Sequence, residues 1–63
     1  MNGIKEVLEE KAIKKKWLAK KLGKSYNIVN GYVQNILQPS LEMLFEIAKI
    51  LIVKPQDLRK AYQ

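Results

Sequence analysis

The sequence predicts an all-α fold of five short helices joined by tight turns. Three observations predict it. Apolar residues recur at spacings of three and four along most of the 63 residues, the period of helices that each bury one face. The breaks between these runs carry residues that start or stop helices, namely Gly23, Ser25, Ser40 and Pro55. One stretch alone has a strand-like pattern, and it finds no third strand to pair with.

Ile4, Val7 and Leu8 predict a first amphipathic helix from about Asn2 to Lys11. Leu18, Ala19 and Leu22 give a second, beginning near Lys15 and ending at Gly23, because glycine tolerates the left-handed position after a helix. Ser25 is suited to cap a third helix, its hydroxyl accepting from a free amide of the first turn. Val29, Tyr32 and Val33 mark the inner face of that helix. Asn35 to Pro39 reads as a loop. Ser40 then caps a fourth helix with the strongest periodicity in the chain, its apolar face being Leu41, Leu44, Phe45, Ala48 and Leu51. Leu44 and Phe45 are expected in the core. Pro55 opens a fifth helix carrying Leu58 and Tyr62, which either cover the core or form a dimer seam. No repeat or linker divides the chain, so residues 1–63 read as a single domain.

The third element has a competing reading. Ile28-Val29-Asn30-Gly31-Tyr32-Val33 places β-branched and aromatic residues around Asn-Gly, the strongest two-residue hairpin signal. Gly31 inside a helix also costs about 1 kcal/mol relative to alanine. A hairpin here would have very short strands, so local sequence favours helix while leaving the hairpin open.

Charge and composition limit the function. The formal net charge is +6, which favours polyanionic partners, nucleic acid first and an anionic membrane surface second. The positive charge is local. Lys11, Lys14, Lys15, Lys16, Lys20, Lys21 and Lys24 follow one another with no acid between them, whereas Ser25 to Ala48 holds Glu42 and Glu46 and no base. There is no Cys and no His. A disulfide framework, a thiolate metal site and histidine-based acid–base chemistry are therefore excluded, and an enzyme is not expected. No cofactor or small-molecule ligand is expected either. Charges interrupt the N-terminal segment where a signal peptide needs an apolar core, and the Met43 to Val53 run is too short and too charged to span a bilayer. A cytoplasmic protein that does not enter membranes is the expectation.

The stretch Lys15 to Gln34, KKWLAKKLGKSYNIVNGYVQ, carries the functional signal. It reads as two short helices broken at Gly23. Ala19 stands where two helices approach closely, Gly23 where the chain bends, and Val29 where the second helix packs back. This is the layout of a DNA-binding helix-turn-helix. On its own a lysine run is most often a solvated face. Within this layout it becomes a phosphate-binding face, since phosphate neutralisation supplies most nonspecific affinity. Trp17 and Tyr32 are expected as core or packing residues; for Trp17 the alternative is base stacking.

Three stretches also resemble a known family. Trp17-Leu18-Ala19-Lys20-Lys21-Leu22-Gly23-Lys24-Ser25, Gln38-Pro39-Ser40-Leu41-Glu42-Met43-Leu44 and Ile47-Ala48-Lys49-Ile50-Leu51, in this order and spacing, are similar to the lambda-repressor-like helix-turn-helix family of the Cro and phage-repressor type. The resemblance runs from Ile4 to about Tyr62. It implies a compact five-helix domain, makes the third element a recognition helix rather than a hairpin, and implies a regulator, most often a repressor, that binds inverted-repeat DNA as a homodimer. The family's base-reading positions match Tyr26, Asn27 and Gly31, with Asn30 on a neighbouring face. Asn27 can bond adenine at N6 and N7. Gly31 has no side chain and would serve only close approach to the duplex. Phosphate contact is expected from Lys14, Lys15, Lys20, Lys21, Lys24, Ser25 and Gln34.

Departures from the family pattern are specific. Lys14 and Lys15 replace its usual Ser or Thr cap and phosphate-binding Gln, so the cap is lost and a neutral donor becomes a charged one. Lys54 stands where Ser or Asp often caps the fifth helix. Leu8 and Val33 match positions that hold a partly buried Arg–Glu pair in several members, and two hydrophobes are an acceptable substitute for a buried ion pair. A recognition helix with Gly31 and Val33 also suits a second function, a protein-interaction module such as an antitoxin or anti-repressor. A peripheral membrane binder using the lysine cluster is a weaker alternative, because Leu18 and Leu22 are better used in a core.

Overall fold

The computed structural model describes residues 3–59 and contains five helices: α1 Ile4–Glu10, α2 Lys15–Leu22, α3 Tyr26–Val33, α4 Leu41–Leu51 and α5 Pro55–Arg59. There is no strand among the described residues. The Asn30-Gly31 segment that could have formed a hairpin lies inside α3. Tyr62 falls outside the described residues, as does Asn2, where α1 was expected to begin.

The core gathers one face of each helix. Ile4, Leu18, Val29, Ile47 and Leu58 have no exposed surface, and Leu44, Ala48 and Leu51 are nearly as enclosed. Leu58 is therefore a core residue of α5. It also anchors α1: the Gly3 amide donates to the Leu58 carbonyl at 2.9 Å, and a Cβ on Gly3 would lie 2.7 Å from the Asp57 carbonyl oxygen. Leu8 and Val33 are both buried and border one cleft.

In α4 the inner face differs from the expected one. Leu44, Ala48 and Leu51 point inward with Ile47, but Leu41 is 53% exposed and Phe45 is 49% exposed. Phe45 is thus not a core residue. The helix LEMLFEIAKIL is apolar around much of its circumference, so two overlapping stripes satisfied the same period. The stripe through Ile47 is the one buried in the core, and α4 packs against α2 and α5.

The ends of the first four helices share one device. Each closes with paired backbone bonds around a residue in the left-handed conformation. After α2, Gly23 (φ 69°) sits between Lys24 N–H donating to Ala19 O at 3.0 Å and its own N–H donating to Lys20 O at 3.3 Å. The same pair of bonds surrounds Ala12 after α1, Asn35 after α3 and Ile52 after α4, with φ of 56°, 64° and 57°. The arrangement satisfies carbonyls that a helix end leaves unpaired. Glycine, with no Cβ, adopts it without strain; for Ala12 and Ile52 the conformation costs about 1–2 kcal/mol, and for Asn35 less.

Candidate nucleic-acid interface

The turn between α2 and α3 is built as its residues dictate. Ala19, small and buried, lets the helices approach, and Val29, fully buried, fixes α3 against α2. Gly23 reverses the chain, and the Ser25 hydroxyl accepts from the Ile28 amide at 3.3 Å to open α3. Ser40 opens α4 in the same way, accepting from Met43 at 3.1 Å. Lys14, by contrast, caps α2 with no side-chain hydrogen bond.

The lysines surround this turn. Lys14, Lys20, Lys21 and Lys24 are exposed. Lys15 is half-buried, and its Nζ donates to Asn30 Oδ1 at 2.9 Å, tying the first turn of α2 to the middle of α3. Lys14, Lys15, Tyr26 and Gln34 line a common cleft between α1, α2 and α3. Lys14 and Lys20 border a neighbouring depression with Trp17. Trp17 is not in the core. It is 43% exposed, and the Lys21 ammonium lies 5.4 Å from its ring centroid. A surface cation–π contact of this kind is worth about 0.5–1 kcal/mol and restrains the lysine.

Of the four residues expected to face bases, Tyr26 and Asn27 are exposed on the first turn of α3. Asn30 is half-buried and its carbonyl oxygen is occupied by Lys15, which leaves its amide NH2 for other partners. Gly31 is buried, and a Cβ there would meet the side chain of Leu37 at 2.8 Å. It does not offer bare backbone to a duplex, because Leu37 covers it. Ser25 and Gln34, expected at phosphates, are both exposed.

Sequence reasoning missed two features of this surface. Ile28 is 36% exposed beside Asn27, and the loop after α3 folds back so that Leu37 lies on the helix. The signal for the second was the glycine itself, one helical turn beyond Asn27, with a leucine close enough in sequence to fill the gap.

No group of His, Cys, Asp or Glu among the described residues could hold a metal ion, and none of the described helices is long and apolar enough to cross a membrane. A family model described as helix-turn-helix matches residues 4–58. A solved crystal structure of a candidate DNA-binding protein from Bacteroides fragilis superposes with a TM-score of 0.89 at 45% identity, over 92% of this chain and 94% of that one. No curated protein matches the chain significantly. The order of the five helices, the turn at Gly23 and the match over residues 4–58 agree: the chain belongs to the lambda-repressor-like helix-turn-helix family, of the Cro and phage-repressor type.

Proposed function

We infer that the protein is a sequence-specific, duplex-DNA-binding transcriptional regulator, a repressor that acts in the cytoplasm as a homodimer on an inverted repeat, and not an enzyme. The observation that carries this reading is the joining of two unlike surfaces. A lysine-rich α2, which itself carries no acid, meets an uncharged α3 with exposed polar side chains, and the Lys15–Asn30 bond links them. The Bacteroides fragilis neighbour, a candidate DNA-binding protein, supports the same partner.

In this reading Lys14, Lys15, Lys20, Lys21, Lys24, Ser25 and Gln34 bind phosphates and position the domain. Tyr26 and Asn27 enter the major groove, where the Asn27 amide pairs with an adenine edge. Asn30 aims Lys15 and keeps its NH2 for a base or phosphate acceptor. One recognition helix covers only a few base pairs, so a palindrome bound by two copies supplies the remaining specificity.

Selection of bound duplexes from a random library tests this directly. The expected product is an inverted repeat with half-site centres about 34 Å apart, one turn of duplex. Enrichment of only direct repeats or single half-sites would count against a two-fold dimer, and no enrichment would remove sequence-specific binding. The exposed Leu41 and Phe45 side chains favour a second reading, a module that holds a protein partner. Under that reading binding to random duplex DNA is absent at every salt concentration.

A further inference from the structure

The recognition helix has a gap in its own side chains, and the following loop fills it. Gly31 lies four residues beyond Asn27 and three beyond Ile28, so the three share a face of α3. Gly31 is nonetheless buried. A Cβ built on it would lie 2.8 Å from Leu37 Cδ1, 2.9 Å from Leu37 Cγ and 3.4 Å from Leu37 Cβ. Leu37 therefore occupies the volume that a side chain at position 31 would take. The loop is held there by its backbone. The Gly31 carbonyl accepts from both Ile36 N–H at 2.8 Å and Leu37 N–H at 3.0 Å, after Asn35 turns the chain back with φ 64°. Covering the glycine does not bury the leucine, which keeps 44% of its surface exposed.

We propose that Leu37 is a base-reading residue of this interface, standing in for the missing side chain at position 31 and recognising a thymine through its C5-methyl group. This rests on the DNA-binding reading above. An isobutyl group has neither donor nor acceptor, so it cannot read a base by hydrogen bonding. The thymine methyl is the apolar feature that the major groove offers. Ile28, 36% exposed, lies three residues before Gly31 on the same helix face, so that face carries a second exposed apolar side chain beside the polar pair Tyr26 and Asn27. The two backbone bonds fix the Leu37 backbone on α3, and the side chain packs over Gly31, so its place on the helix face is set.

The test uses the site recovered by selection. Each thymine is replaced in turn by deoxyuridine, which lacks only the methyl, and dissociation constants are measured for the wild type, Leu37→Ala and Asn27→Ala. The wild type should lose about fourfold at one thymine per half-site, the worth of one buried methyl group. Leu37→Ala should bind the thymine and deoxyuridine forms of that position equally, whereas Asn27→Ala should bind more weakly but keep the wild-type ratio. Circular dichroism monitors folding. If Leu37→Ala loses its helices, Leu37→Val, shorter by one carbon, takes its place and must shrink the ratio. A wild type indifferent to every substitution, or a ratio that survives the change at Leu37, overturns the assignment while leaving DNA binding intact. A wild type that binds no duplex at all overturns both.

Discussion

Helices α2 and α3 are equally long, eight residues each, and packed on one another, yet they are chemically opposite. α2 carries Lys15, Lys16, Lys20 and Lys21 and no acid; α3, YNIVNGYV, carries no charge at all. The contrast separates two tasks that a nucleic-acid-binding surface must perform. Charge attracts any duplex and is screened by salt. Hydrogen-bonding and apolar groups attract weakly but distinguish base edges. With the tasks on different helices, substitutions in one should change affinity and in the other specificity.

The largest effect should come from breaking both helices together. Leu18, on the inner face of α2, is fully buried in the core that α3 shares, so Leu18→Ala should destabilise the domain by about 2–5 kcal/mol. Urea unfolding measures this loss, and binding to cognate and random DNA should fall together as the folded fraction falls. If stability were unchanged, the packing described for α2 and α3 would be incorrect.

Changing α3 alone should separate the two kinds of site. Asn27 is exposed and outside the core, so Asn27→Ala should cost about 1–3 kcal/mol on the selected site and much less on random duplex. Titrations on both duplexes report the difference. Equal losses would mean that Asn27 does not face bases.

A change in α2 should do the reverse. Lys15→Ala should weaken cognate and random binding alike and make the log–log salt slope shallower by roughly one. An extra loss confined to the cognate site would contradict a purely phosphate-binding role and tie Lys15 to base readout, by way of the bond it donates to Asn30.

The smallest effect lies away from both helices and sharpens the comparison as a control. Ile52, β-branched and 84% exposed, holds a left-handed conformation that Gly23 adopts freely in the same motif. Ile52→Gly should stabilise the domain by about 1 kcal/mol, part of the strain relieved being offset by the greater freedom of glycine in the unfolded chain. Thermal unfolding detects this gain, and DNA binding should not change.

What could be read from the sequence followed from local signals. The apolar spacing of Ile4, Val7 and Leu8, and of Leu18, Ala19 and Leu22, gave helices; Gly23 gave a turn; Ser25 and Ser40 gave caps, and both hydroxyls accept the expected amides. What could not be read was non-local or ambiguous. Ala12, Asn35 and Ile52 end helices in the conformation usually left to glycine, and an alanine or isoleucine gives no hint of that. Phe45 fitted a helical period as well as Ile47 did, because α4 is apolar on more than one side. Leu58 suits a core or a partner seam equally in sequence; its full burial, where α1 docks on α5 through Gly3, places it in the core. At the interface, the lysine cluster followed from composition, and Asn27 as an exposed residue of α3 from the family resemblance. The Lys15–Asn30 bond and the seating of Leu37 on Gly31 required side chains to be placed in three dimensions.

The central claim is that α2 and its flanks bind phosphates while α3 reads bases, and salt dependence tests it most directly. Binding to a random duplex and to the selected site should be titrated from low to physiological salt. If each subunit neutralises about four phosphates, the log–log slope for a dimer should be roughly −7 on both, with the selected site tighter by a factor nearly independent of salt. A slope near zero on random DNA would contradict the account, since the lysines of α2 would then have no phosphates to neutralise.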